Sequence, residues 1–171
     1  MKNLFLMLLV YGIFSCSPAN QNASETALAA LEEKENYEQI PWVKMEDLEF
    51  LQQKKPRKVI VDAYTDWCGP CKLMDKHTFE NPEMKNYIGK NFYAVKFNAE
   101  SPDVIKFNGK EWANPGFKPN RRRNSQHQLA SSMGVRAYPT LLILDENLKV
   151  IDRISGLRMP PQLKDELNKY L

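Results

Sequence analysis

Two cysteines, Cys68 and Cys71, stand two residues apart in the stretch VDAYTDWCGPCKLM, Val61 to Met74. A pair so spaced can reduce a disulfide, make one, shuffle one, or hold half of a metal site. If a helix starts at the first of them, Cys68 sits where unpaired N–H groups and the helix dipole stabilise a thiolate. Cys71 then lies one turn further along, more buried and more protonated. That ordering makes Cys68 the attacking nucleophile and Cys71 the resolving thiol. A zinc site needs two or more further ligands, and only His77, His127 and Cys16 remain as candidates, with no second cysteine pair. No metal is expected, and His77 reads as a surface or capping residue. Asp62, six residues before Cys68, falls inside the apolar run VIVDAY. A carboxylate there is costly without a partner or a role, so Asp62 reads as functional rather than as a polar strand end.

These residues need a scaffold, and 171 residues suit one domain with a real core. The formal net charge of +3 is too small to argue for a nucleic-acid or anionic-lipid partner. Three cysteines are too few for a disulfide framework, so each needs its own explanation. Met45 to Lys54 has the spacing of a short amphipathic helix, which Pro56 ends. Lys58 to Tyr64 reads as a buried central strand, followed by a helix from near Pro70. Asn81-Pro82-Glu83 supplies an N-cap, a first-turn proline and an acid for a helix toward Lys90. Phe92 to Phe97 is the next strand.

Residues 101–124 then break the rhythm with Pro102, Gly109, Pro115, Gly116 and Pro119. This stretch reads as a long, partly packed insertion after the third strand. Trp112 and Phe117 in it form either a lip facing substrate or the cover of the loop's own small core. Arg121-Arg122-Arg123 is the basic run of the chain and reads as a solvated loop, with an anion or partner contact as the other reading. Ser125 can cap a helix from Gln126 to Met133, with Gly134 past its end. Thr140 to Leu144 and Val150 to Ile154 flank Asp145-Glu146-Asn147 as an antiparallel hairpin, and a last helix runs from about Pro161 to Tyr170. The order of elements predicts an α/β domain, a mixed central sheet with helices on both faces.

The first residues carry a different signal. One positive charge in Met1-Lys2-Asn3 precedes an apolar run, Leu4 to Phe14, too short for a membrane-spanning helix. Ile13-Phe14-Ser15-Cys16 resembles a bacterial lipobox. That resemblance implies a lipoprotein signal peptide over 1–15, a lipid on Cys16, and an exported chain anchored to a membrane facing the periplasm. An ordinary signal peptide with an incidental Cys16 is the other reading. Residues 16–38 then form a tether with a lead-in helical stretch, and 39–171 the folded domain.

The central motifs resemble the thioredoxin family. Trp67-Cys68-Gly69-Pro70-Cys71-Lys72 matches that family's active-site hexapeptide, and Tyr138-Pro139-Thr140 its cis-proline element. Asp62 matches the family's buried aspartate, which assists proton transfer at the resolving cysteine, and Lys96 the lysine that pairs with it. Gly156 matches a late glycine near the substrate groove. The resemblance implies a thioredoxin fold over about 40–171, apart from the insertion, with Trp67, Gly69, Pro70, Tyr138, Pro139 and Gly156 beside the bound substrate. DWCGPCKLMDKHTFENPEM is also similar to periplasmic thioredoxin-like domains, a branch that includes domains receiving electrons from transmembrane thiol transporters.

The implied activity is thiol–disulfide exchange on protein substrates, with no cofactor beyond the Cys68–Cys71 pair and a thiol electron donor to restore it. Gly69-Pro70 between the cysteines is the reducing enzyme's dipeptide, which favours a reductase. A disulfide oxidase or isomerase, and a non-catalytic binding or assembly module, are the alternatives on the same fold.

Overall fold

The computed structural model describes residues 24–171; the signal-peptide and lipobox readings, with Cys16, lie outside the described residues. Helix α1, Glu25–Leu31, is capped by Ser24, whose hydroxyl accepts from Ala27 N–H. A short strand β1, Trp42–Val43, precedes a 3₁₀ turn and helix α2, Leu48–Lys54. Strand β2 is Val59–Tyr64, and helix α3 is Gly69–Met74. Helix α4, Pro82–Asn91, starts at the predicted cap, with Asn81 accepting from Met84 N–H. Strand β3, Tyr93–Asn98, leads into the insertion, which contains strands β4, Ile105–Phe107, and β5, Lys110–Trp112. Helix α5, Gln128–Ser132, strands β6, Thr140–Leu144, and β7, Val150–Ser155, and helix α6, Pro160–Leu167, complete the order.

The main sheet runs β1-β3-β2-β6-β7. β1, β3 and β2 are parallel, while β6 and β7 join antiparallel, so the sheet is mixed as predicted. β2 lies at its centre, which explains the near-continuous apolar run: both faces are covered. Val59, Val61 and Ala63 point into one core with α1, α2 and α5. Ile60 points into the other, with Met84 and Ile88 of α4 and Leu163 and Leu167 of α6. Asp62 has the same parity as Ile60, so the alternation of β2 aims a carboxylate at this second core. Among the described residues no helix is long and apolar enough to cross a membrane.

Three local readings change. The insertion is not an irregular loop throughout, because β4 and β5 pair antiparallel around Asn108-Gly109. Both turn residues have positive φ, 51° and 68°, the conformation that an Asn-Gly hairpin turn requires. Ser125 does not cap α5: its hydroxyl donates to Asn114 Oδ1, and the cap is His127, whose Nδ1 accepts from Leu129 N–H. The helix therefore begins two residues later than predicted, at Gln128. β1 is short enough that no alternation announces it.

Candidate active site

α3 begins where β2 leaves the sheet. Cys68 is its N-cap, in extended backbone geometry, and its Sγ lies 3.1 Å from the N–H of Cys71, in position to accept a hydrogen bond. Pro70 follows in the first turn, where a missing N–H has no cost. Cys68 and Cys71 form a disulfide with their Cα atoms 5.3 Å apart. Both are 3% exposed, so the predicted difference in burial is absent. The Cys68 sulfur is turned inward, across the first turn, to reach its partner. Gly69 and Pro70 are exposed beside it. α3 then widens into a π turn over Asp75–Phe79, closed by Glu80 N–H to Asp75 O at 3.0 Å. This turn draws Thr78 and Phe79 inside, leaves His77 exposed, and is stopped by Pro82.

Beneath the helix lies a charged cluster. Asp62 and Lys96 are register partners on the parallel strands β2 and β3, so their side chains leave the sheet on one face. Lys96 Nζ is 2.9 Å from Asp62 Oδ2, the pairing that the resemblance implies. Asp62 is 2% exposed, and its Oδ1 has no hydrogen-bond partner among the described residues. Burial pushes its carboxyl up to about 6, against the pull of Lys96. Burial also works against the Lys96 charge, but Asp62 and a second carboxylate, Asp75, outweigh it and hold the amine above its ordinary value. Lys96 also pairs directly with Asp75. Its ammonium lies over the rings of Tyr64, Phe79 and Trp42, 4.9, 5.3 and 5.4 Å from their centroids. Asp75 was missed in the sequence. The available signal is its position four residues after Cys71, on the same helical face.

The flanks are aromatic. Trp67 and Tyr138 meet edge to face, centroids 5.9 Å apart. The Tyr138–Pro139 peptide bond is cis, and the Pro139 carbonyl accepts from Gly156 N–H at 2.8 Å. Gly156 has φ +90°, a conformation that a side chain would strain. Thus Trp67, Tyr138, Pro139 and Gly156 form a linked series, three of them from the far end of the chain.

The insertion reaches this edge through Arg123 and Asn124, not through the Trp112 weighed as a lip. Glu100 Oε2 accepts from Trp67 Nε1–H at 3.0 Å and from Asn124 N–H at 2.9 Å. Gln126 Nε2 donates to the Tyr138 hydroxyl at 3.1 Å. The Arg123 guanidinium lies 4.2 Å over the Trp67 ring, so the arginine run is not simply a solvated loop. Trp112, by contrast, bonds the Phe107 carbonyl and lies against Lys110, covering its own hairpin. Among the described residues no group of three or more His, Cys, Asp or Glu could hold a metal ion, and His127 is buried as a helix cap.

A disulfide capping a helix beside a cis-proline loop, above a buried carboxylate, defines a thiol–disulfide exchange site on a thioredoxin fold. The thioredoxin-like domain family matches residues 44–171, and the chain belongs to it. It is 25% identical to the thiol:disulfide interchange protein DsbD of Pectobacterium atrosepticum over 99% of this chain and 26% of that protein. It is 28% identical to thioredoxin of Listeria monocytogenes over 73% of this chain and 94% of that one. The chain thus spans about a quarter of the length of that DsbD relative. The fold is shared with the DsbH oxidoreductase (TM-score 0.55, 16% identity, covering 82% of this chain and 92% of that one). It is shared equally with a thioredoxin from Thermus thermophilus (TM-score 0.55, 18% identity, 75% and 84% covered).

Proposed function

We propose that this chain is a membrane-anchored disulfide reductase acting on proteins in the bacterial periplasm. The observation that carries the redox reading is the Cys68–Cys71 disulfide at the start of α3, with Cys68 Sγ accepting the Cys71 N–H; the buried Asp62 oxygen without a hydrogen-bond partner among the described residues supports it. In the reduced protein the same N–H and the helix start stabilise a Cys68 thiolate. That thiolate attacks one sulfur of a substrate disulfide, forming a mixed disulfide and releasing the other sulfur as a thiolate. Asp62 Oδ1 then takes the Cys71 proton, Cys71 attacks the Cys68 sulfur, and the second substrate thiol leaves. The substrate gains two electrons, and the Cys68–Cys71 disulfide is left for a thiol donor to reduce. Trp67, Tyr138, Pro139 and Gly156 flank the incoming chain, with Gly69 and Pro70 exposed between the cysteines.

Gly69-Pro70 supports the reducing direction, and the similarity to DsbD supports a transmembrane thiol transporter as the electron donor. Dithiothreitol-driven reduction of insulin is expected to be accelerated by the wild-type chain. A rate no faster than dithiothreitol alone would remove the enzymatic reading. The lipobox at Ile13–Cys16 supports the anchor. Fatty-acid labelling in cells is expected on the wild type and to vanish in Cys16→Ala, while labelling that survives the substitution would contradict it.

A further inference from the structure

We propose that Arg121 and Arg122, presented beside Trp67 by the insertion, form an electrostatic docking lip for a redox partner whose reactive cysteines lie in an acidic surface. This rests on the exchange reading of the Cys68–Cys71 pair and names the class of partner it serves. The three residues Arg121, Arg122 and Arg123 are exposed, and none has a carboxylate within salt-bridge distance among the described residues. The run carries as much positive charge as the whole chain's formal net of +3.

The loop is also fixed in place. Asn124 closes it by donating from Nδ2 to Arg121 O at 3.3 Å and accepting from Lys118 N–H at 2.7 Å. Glu100 ties Asn124 and Trp67 together through one carboxylate oxygen, and the Arg123 guanidinium lies over the Trp67 ring. Trp67 immediately precedes Cys68, so a partner that brings its cysteines to Cys68 must bring surface to this lip. Arg123 anchors the run on the ring, while Arg121 and Arg122 keep their charges available. Fixed unpaired charge beside a docking site steers complementary partners and raises association rates by about 10- to 1,000-fold at low salt. An anionic membrane offers similar charge. Adjacency to the redox pair favours a protein that must also present a disulfide there.

The test uses the full chain, reduced and desalted, with two ten-residue peptides that are each closed by an internal disulfide and differ only in their flanks, three glutamates or three lysines. Second-order reduction rates are measured at low salt and near 1 M salt, where the Debye length falls to about 3 Å. The wild type is expected to reduce the glutamate peptide on the order of tenfold faster than the lysine peptide at low salt, with the ratio near one at high salt. Arg121→Glu/Arg122→Glu, which keeps Arg123 on Trp67, is expected to erase or invert that preference. Its rate with uncharged hydroxyethyl disulfide should match the wild type. Equal peptide rates in an otherwise active wild type, or an unchanged preference in the double variant, would overturn the lip alone. Failure of the wild type to reduce any of the three disulfides would overturn the exchange reading and the lip together. Equal peptide rates with binding to phosphatidylglycerol vesicles lost in the double variant would assign the run to a membrane surface instead.

Discussion

Cys71→Ser is expected to accumulate in cells as mixed disulfides with its substrates, whereas Cys68→Ser forms none and is inactive. The asymmetry follows from the site. Cys68 Sγ is the sulfur that receives the Cys71 N–H at the helix start, so its thiolate is the one the backbone stabilises. Cys71 lies within the same turn and needs only to attack a sulfur already beside it. An oriented intramolecular attack reaches effective molarities on the order of 10⁵ M, against millimolar external thiol. Removing it should lengthen the life of the mixed disulfide by at least about a thousandfold. Non-reducing gels of acid-quenched cells measure this directly. If Cys68→Ser collected the adducts and Cys71→Ser did not, the two roles would be reversed; if Cys68→Ser were as active as wild type, the redox mechanism would be wrong.

Asp62→Asn is expected to stabilise the fold at neutral pH while slowing release of the reduced substrate. The carboxyl is held at about 6, above its ordinary 3.8, because burial outweighs the attraction of Lys96. The folded protein therefore binds more protons than the unfolded chain between about pH 4 and pH 6, and stability falls as pH rises through that window. Above about pH 6 the cost of the buried anion is fully present, and below about pH 4 it is gone. A shift of about two pKa units corresponds to about 3 kcal/mol. The amide removes that cost, and Lys96 retains Asp75 as a partner. Denaturant unfolding should show the variant more stable by up to about 3 kcal/mol at pH 7 and equal to wild type near pH 4. Single-turnover release of substrate should fall by about 100-fold or more, the contribution of a positioned base, and should lose its dependence on pH around 6. A variant that was less stable at neutral pH, or released substrate at the wild-type rate, would remove Asp62 from this role.

What could be read from the chain was what local chemistry announces. The Cys-x-x-Cys pair, Asp62 inside an apolar strand and the Asn81-Pro82 helix start each carry their reason within a few residues. The five-strand order was only partly legible: β1 is two residues long, and its pairing with β3 spans about half a hundred positions. The hairpin in the insertion was legible in principle, since Asn108-Gly109 is a turn signal, but the surrounding prolines concealed it. Glu100 and Arg123 are different in kind. Each meets the site through tertiary contact with Trp67, and no periodicity encodes such a meeting, whereas Asp75 carried only the faint signal of its helical spacing from Cys71. The insertion read as a partly packed loop, and it meets the edge of the site through Arg123 and Asn124 rather than through Trp112.

The central claim is that Cys68 and Cys71 form a reducing couple. Equilibrating the purified chain against graded glutathione or dithiothreitol buffers and counting the oxidised fraction of the pair measures that property without any substrate. The account predicts a potential close to that of thioredoxin, about −270 mV. A value of about −150 mV or higher, toward the strong periplasmic oxidant near −120 mV, would contradict it.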